Sequence, residues 1–192
     1  MSVATAEFLT IVSGLPRSGT SMMMRMLECG GLSVLTDHVR TPDDDNPNGY
    51  YEFEAVKQTK EDDAWLKGSE GKAVKMVYRL LYDLPANRTY RVLFMRRKLD
   101  EVLASQRVML ERHGVADSVS EAQMSALFRS EIDSFYKWVE GQRHIELIDV
   151  DYNRMQQQPR EEAARVNEFL GGALDVDAMV GVVDQALYRN RK

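Results

Sequence analysis

The sequence predicts an α/β fold: a single domain in which a central parallel sheet is flanked by helices. Three features carry that prediction. Five short apolar runs rich in β-branched residues recur along the chain, stretches of helical period lie between them, and a glycine loop joins the first run directly to a helix. Strands alternating with helices pair in parallel and bury both faces of their sheet. A length of 192 residues suits one domain spanning 1–192. No internal repeat and no Ser/Gly/Pro-rich linker divides it.

The elements follow in order. FLTIVS (8–13) is a buried strand ended by Gly14, after which Met23, Met26, Leu27 and Gly30 fall at helical spacing. LSVL (32–35), KAVKMVY (72–78), YRVLFM (90–95) and IELIDV (145–150) are the other strands. Leu99, Val102, Leu103, Gln106, Met109 and Leu110 share one helical face after the fourth strand. Ser118 with Glu121 reads as a capping box opening a longer helix, whose apolar side carries Met124, Phe128, Ile132, Phe135 and Val139. Pro159 suits the first turn of a last helix that stops at Gly171. Met22–Met24 and Met26 read as core filling, and Cys29 as a buried, inert thiol. Trp65 and Trp138 read as packing residues, and His113 and His144 show no metal or triad spacing.

Composition narrows the partners. Twenty-five bases against thirty acids give a formal net charge of −5 and an isoelectric point near 5.3. An acidic surface does not displace counterions from a nucleic acid, so no nucleic-acid partner is expected. One cysteine excludes a disulfide framework and a multi-cysteine metal site. No apolar run reaches membrane-spanning length, and Phe8–Val12 is too short for a signal-peptide core, so a cytoplasmic protein without a transmembrane segment is expected. The acidity is local. Residues 37–63 hold nine acids and three bases, leaving 21 acids and 22 bases elsewhere.

IVSGLPRSGTS (11–21) is the segment richest in chemistry. A buried strand, a loop with Gly14 and Gly19, and a helix opening near Thr20 aim backbone N–H groups, a helix dipole and two hydroxyls at one spot. Phosphate or sulfate is the natural occupant, and the fold is of the P-loop nucleotide-binding type. The ATPase loop G-x-x-x-x-G-K-[ST] shares the Gly14–Gly19 spacing, but Thr20 stands where its lysine belongs. The base lies inside the loop instead, at Arg17. In this, P-R-S-G-T-S resembles the 5′-phosphosulfate loop of sulfotransferases that use 3′-phosphoadenosine 5′-phosphosulfate and release 3′-phosphoadenosine 5′-phosphate. The resemblance implies that Arg17, Ser18, Gly19, Thr20 and Ser21 bind the 5′-phosphosulfate, with no metal required.

Further elements of the resemblance follow in the family's order. FMRRKLDEVLAS (94–105) has Arg97 at a strand end and Ser105 eight residues later, the family's spacing for holding the 3′-phosphate, although Lys98-Leu99 replace the frequent Asp-Pro. KAVKMVYRLLYDLP (72–85) resembles the family's lysine-bearing strand; Lys75 is then implied at the transferred group. Cytosolic members carry a histidine base two residues later, where this chain has Val77. In VDYNRMQQQP (150–159), Tyr152 is implied beside the adenine, with Asn153 in place of a common acid. Arg189, in LYRNRK (187–192), is a candidate for the family's basic 3′-phosphate loop.

A base is then needed for the acceptor. In some branches of the family it is a carboxylate about twenty residues beyond the loop's base, which falls on Asp37, with His38, Glu52 and Glu54 as rivals and Arg40 on the same wall. Asp44, Asn46, Asn48 and Gly49 match the opening of a calcium loop, but its closing Glu falls on Ala55. The expected activity is sulfuryl transfer to a hydroxyl or amine of an acceptor, neutral or cationic if the acidic segment lines its pocket. The alternatives are a P-loop nucleotide kinase or hydrolase and a non-catalytic nucleotide-binding module.

Overall fold

The computed structural model describes residues 7–37, 49–112, 114 and 120–184. His38, Arg40, Asp43–Asp45, Asn46, Asn48, His113, Ser118 and Arg189 lie outside the described residues. Five strands, β1 (Phe8–Gly14), β2 (Ser33–Leu35), β3 (Lys72–Lys75), β4 (Thr89–Arg96) and β5 (Ile145–Asp151), form one parallel sheet in the order β2-β3-β1-β4-β5. Pairing of β1 with β4 runs from Phe8 opposite Thr89 to Gly14 opposite Met95. The strand order reverses around β1, and a crevice opens at such a switch point beyond the carboxyl ends of the strands.

Alternation along the strands divides the core in two. Leu9 and Ile11 of β1 and Val92 and Phe94 of β4 face α3 (Glu121–Val139), where Phe94 stacks on Phe135 at 4.9 Å between ring centroids. Val12, Leu93, Met95 and Val150 face the opposite way, toward α1 (Thr20–Cys29) and α5 (Pro159–Phe169). Met23, Met24 and Met26 of α1 are fully buried there, as core filling requires. Each such side chain contributes roughly 1.5–3 kcal/mol by leaving water. α2 (Leu99–Arg112) follows β4 directly.

Four details differ from the sequence expectations. β3 stops at Lys75; Met76 still donates to Val12 O at 3.0 Å, and the chain then winds into a 3₁₀ helix over Tyr78–Asp83. Burial of Leu81 and Tyr78 favours that turn over continued pairing. α3 opens at Ser120, not Ser118: Ser120 Oγ accepts from Gln123 N at 3.3 Å and the Gln123 side chain accepts from Ser120 N at 3.1 Å, glutamine serving as well as glutamate. Cys29 is exposed, because it is the last residue of α1 and falls on its outer side. Two short helices went unforeseen, α4 (Tyr152–Gln157) and α6 (Val176–Val180), each capped by an aspartate, Asp151 and Asp175. Short helices like these carry too few turns for a readable period. No helix among the described residues is long and apolar enough to cross a membrane.

Candidate functional site

The loop after β1 is held by its backbone. Gly14 and Gly19 have φ of 144° and 95°, values that favour glycine. A Cβ at Gly14 would lie 2.7 Å from Met95 O, and one at Gly19 would overlap the Tyr152 ring. Arg17 adopts φ 67°, the left-handed region that non-glycine residues seldom enter. Ser18 closes the turn from within: it is buried, and its hydroxyl donates to Leu15 O at 2.7 Å. Gly19 caps α1 with no side-chain hydrogen bond, so the first N–H groups of that helix have no partner within it.

A cavity of about 670 Å³ opens at this loop. Arg17, Gly19, Thr20, Ser21, Lys75, Arg97, Ser105 and Tyr152 all line it, which brings together residues from the ends of β1, β3, β4 and β5. Ser18 and Asp37 are not among the lining residues, and Arg189 is outside the described ones. Among the described residues, Arg17, Arg25, Lys57, Lys75, Arg97 and Arg112 are the bases that line the cavity, against Glu52, Glu54 and Asp184. An acidic chain therefore has a locally basic cavity.

Arg97 is the most closely held of these bases. Its Nε donates to Glu101 Oε2 at 2.9 Å, its Nη1 donates to Arg17 O at 3.1 Å, and its guanidinium lies 4.7 Å from the centre of the Tyr152 ring. Glu101 is fully buried, and its other oxygen accepts from Asn153 Nδ2 at 2.9 Å. Asn153 Oδ1 in turn accepts from Lys98 N at 3.2 Å. Arg17 Nε donates to Ser105 Oγ at 3.0 Å, so the loop after β1 and α2 meet directly. Sequence reasoning missed Glu101 and Asn153; the signal for Glu101 was its place four residues after Arg97 at the start of a helix.

Lys75 lies at the carboxyl end of β3 and donates to the carbonyl of Tyr50, which also accepts from Ser21 Oγ at 3.3 Å. The segment from Tyr50 to Lys57 thus forms a wall of the cavity. Asp37 supports it from behind: Asp37 Oδ2 accepts from Glu54 N at 2.6 Å, and Asp37 N donates to Glu52 O at 3.1 Å. Glu52 and Glu54 reach the cavity, and Glu54 is paired with Lys57 at 2.6 Å. That hydrogen bond raises the Lys57 pKa. Among the described residues, no three His, Cys, Asp or Glu side chains are grouped to hold a metal ion.

No protein-family model matches the chain, and no curated protein matches it in sequence. Solved structures do. The sulfotransferase domain of the olefin synthase from Synechococcus PCC 7002 superimposes with a TM-score of 0.55 at 13% identity, over 98% of this chain and 82% of that one. The sulfotransferase domain from the curacin biosynthetic pathway gives 0.53 at 15% identity, over 94% and 79%. A sulfotransferase from Alicyclobacillus acidocaldarius gives 0.51 at 14% identity, over 98% of both chains. The chain shares the sulfotransferase fold.

Proposed function

We propose that this protein transfers a sulfuryl group from 3′-phosphoadenosine 5′-phosphosulfate to a hydroxyl or amine of an acceptor, as a cytoplasmic enzyme without a metal. The observation that carries this reading is one cavity lined by both halves of an anion site: Arg17 with Gly19–Ser21 on one side, Arg97 with Ser105 on the other. The residues suit the cofactor. A glycine cradle brings backbone close at Gly19, uncapped helix N–H groups face it, and bases outnumber acids around it. When bound, the cofactor supplies an activated sulfuryl group.

Each residue then has a part. Arg17, Thr20 and Ser21 hold the 5′-phosphosulfate, with Ser18 keeping the turn closed. Arg97 and Ser105 hold the 3′-phosphate, Tyr152 flanks the adenine, and Arg189 is proposed from the resemblance alone as a further 3′-phosphate contact. Lys75 offsets charge on the transferred group. Acceptor deprotonation is assigned to Glu52, which lines the cavity, with Asp37 holding the Glu52–Glu54 segment in place.

Thermal stabilisation tests the reading. At about one hundred times its dissociation constant, 3′-phosphoadenosine 5′-phosphate should stabilise the fold by about 2.7 kcal/mol. Stabilisation by ATP with magnesium but not by this ligand would overturn the proposal in favour of a kinase or hydrolase. Stabilisation without sulfuryl transfer to a broad acceptor panel would identify a non-catalytic module.

A further inference from the structure

Beyond the anion site the cavity changes character. Past Ser105, α2 turns Val108, Met109 and Arg112 to the same cavity, one helical face extending it by roughly 10 Å at 1.5 Å per residue. Phe53 and Val56 from the 50–57 wall, and Met76, Val77 and Leu80 from the turn after β3, line the cavity as well. Phe53 is braced edge-on by Trp65 at 5.9 Å between centroids, which fixes that side. Val77 is 49% exposed, an apolar side chain left open to water at the cavity. Among the described residues that line the cavity, the Ser, Thr, Asn and Gln side chains are Thr20, Ser21 and Ser105, already placed in the proposed anion site, and Gln156, whose amide donates to Met22 Sδ at 3.4 Å. Besides Arg17, Arg25, Lys75 and Arg97, the charged described residues that line the cavity are Glu52, Arg112, Asp184 and the paired Glu54 and Lys57.

Resting on the sulfotransferase reading, we infer that this end takes an uncharged acceptor with an apolar body about 10 Å long and a single hydroxyl, a phenol or an apolar alcohol. A saccharide needs several polar side chains to replace the water on its hydroxyls, and burying those hydroxyls unpaired is costly. A cationic amine meets a cavity whose described lining carries six bases against three acids, and one of those acids, Glu54, is already paired with Lys57. An apolar body gains from covering Phe53, Val56, Val77 and Met109. Glu52 then lies at the hydroxyl end of the bound molecule.

The test is direct binding by calorimetry, with the protein saturated in 3′-phosphoadenosine 5′-phosphate. The probes are 2-naphthol, 1-decanol, N-acetylglucosamine and tyramine. The expected result is that 2-naphthol or 1-decanol binds at least tenfold more tightly than the sugar and the amine, the better of the two showing whether the site prefers a flat ring or a chain. Val77→Asp and Met109→Asp should each weaken that probe at least tenfold, while the nucleotide constant moves less than twofold. Val77 is half exposed, so its variant keeps a folded protein to measure. Equal or tighter binding of N-acetylglucosamine or tyramine overturns the inference while leaving the sulfotransferase reading intact, as does unchanged naphthol and decanol binding in both variants. Absence of nucleotide binding by the wild-type protein overturns both.

Discussion

Asn153 and Glu101 are joined by a buried hydrogen bond of 2.9 Å across 52 positions of sequence, and through it the start of α4 is tied to the start of α2. The direction of that bond explains the residue. Asn153 donates to a carboxylate whose other oxygen holds Arg97 and accepts from a backbone N–H, which an ionised acid at 153 could not do. Asparagine at 153 is therefore matched to the acid at 101.

Glu101→Leu should release Arg97 and leave a buried guanidinium without its carboxylate. Loss of one partner of such a pair costs about 3–5 kcal/mol, and chemical denaturation measures it. Asn153→Asp should be more destabilising than Asn153→Ala, because it sets a second carboxylate against Glu101.

Removing the proposed 3′-phosphate contacts should act on binding. Arg97→Ala should weaken 3′-phosphoadenosine 5′-phosphate by about ten- to a hundredfold, the worth of charge-assisted hydrogen bonds of 1.5–3 kcal/mol. Ser105→Ala should weaken it less and also loosen Arg17, whose Nε it accepts at 3.0 Å. Calorimetric titration with and without the 3′-phosphate separates the two effects, since neither variant should alter affinity for a ligand lacking that phosphate as strongly.

Asp37 and Glu52 should differ in kind. Glu52→Gln should lower turnover by about a hundredfold or more, the usual contribution of a general base, with nucleotide affinity nearly unchanged. Asp37→Asn should lower turnover less and lower thermal stability more, since its oxygen caps Glu54 N at 2.6 Å. The reverse order would make Asp37 the base.

Gly19→Ala should abolish nucleotide binding or folding, because φ of 95° and the Tyr152 ring both exclude a Cβ. Tyr152→Ala in the same chain should restore part of the stability lost, measured by melting temperature; no restoration would place the strain in the backbone alone.

Alkaline stability should depend on Tyr90. Burial pushes its phenol up to about 12, and the hydroxyl donates to Pro85 O at 3.1 Å. A raised pKa means the fold favours the protonated form, so this contribution is complete below the unfolded value of about 10 and is lost as pH rises toward 12. Tyr90→Phe should be less stable at neutral pH by about 1 kcal/mol. It should also lack part of the wild type's loss between pH 10 and 12, on the order of 2 kcal/mol.

The sequence by itself determined the sheet and the glycine loop after β1. Both rest on local rules: β-branched runs, helical period, and two glycines whose backbone conformations their neighbours require. That Arg97 follows a strand end and Ser105 sits in the next helix was legible for the same reason. What only the tertiary structure decided depends on which distant segments meet. Glu101 and Asn153 look like a surface acid and an ordinary amide until packing buries them against each other. Asp37 and Glu52 are equivalent acids in a charged stretch until the 50–57 segment folds over the crevice and turns one inward and the other behind. The apolar far wall, drawn from residues near 53, 77 and 109, has no signature at any spacing, because it comes into being only when three segments close around one space.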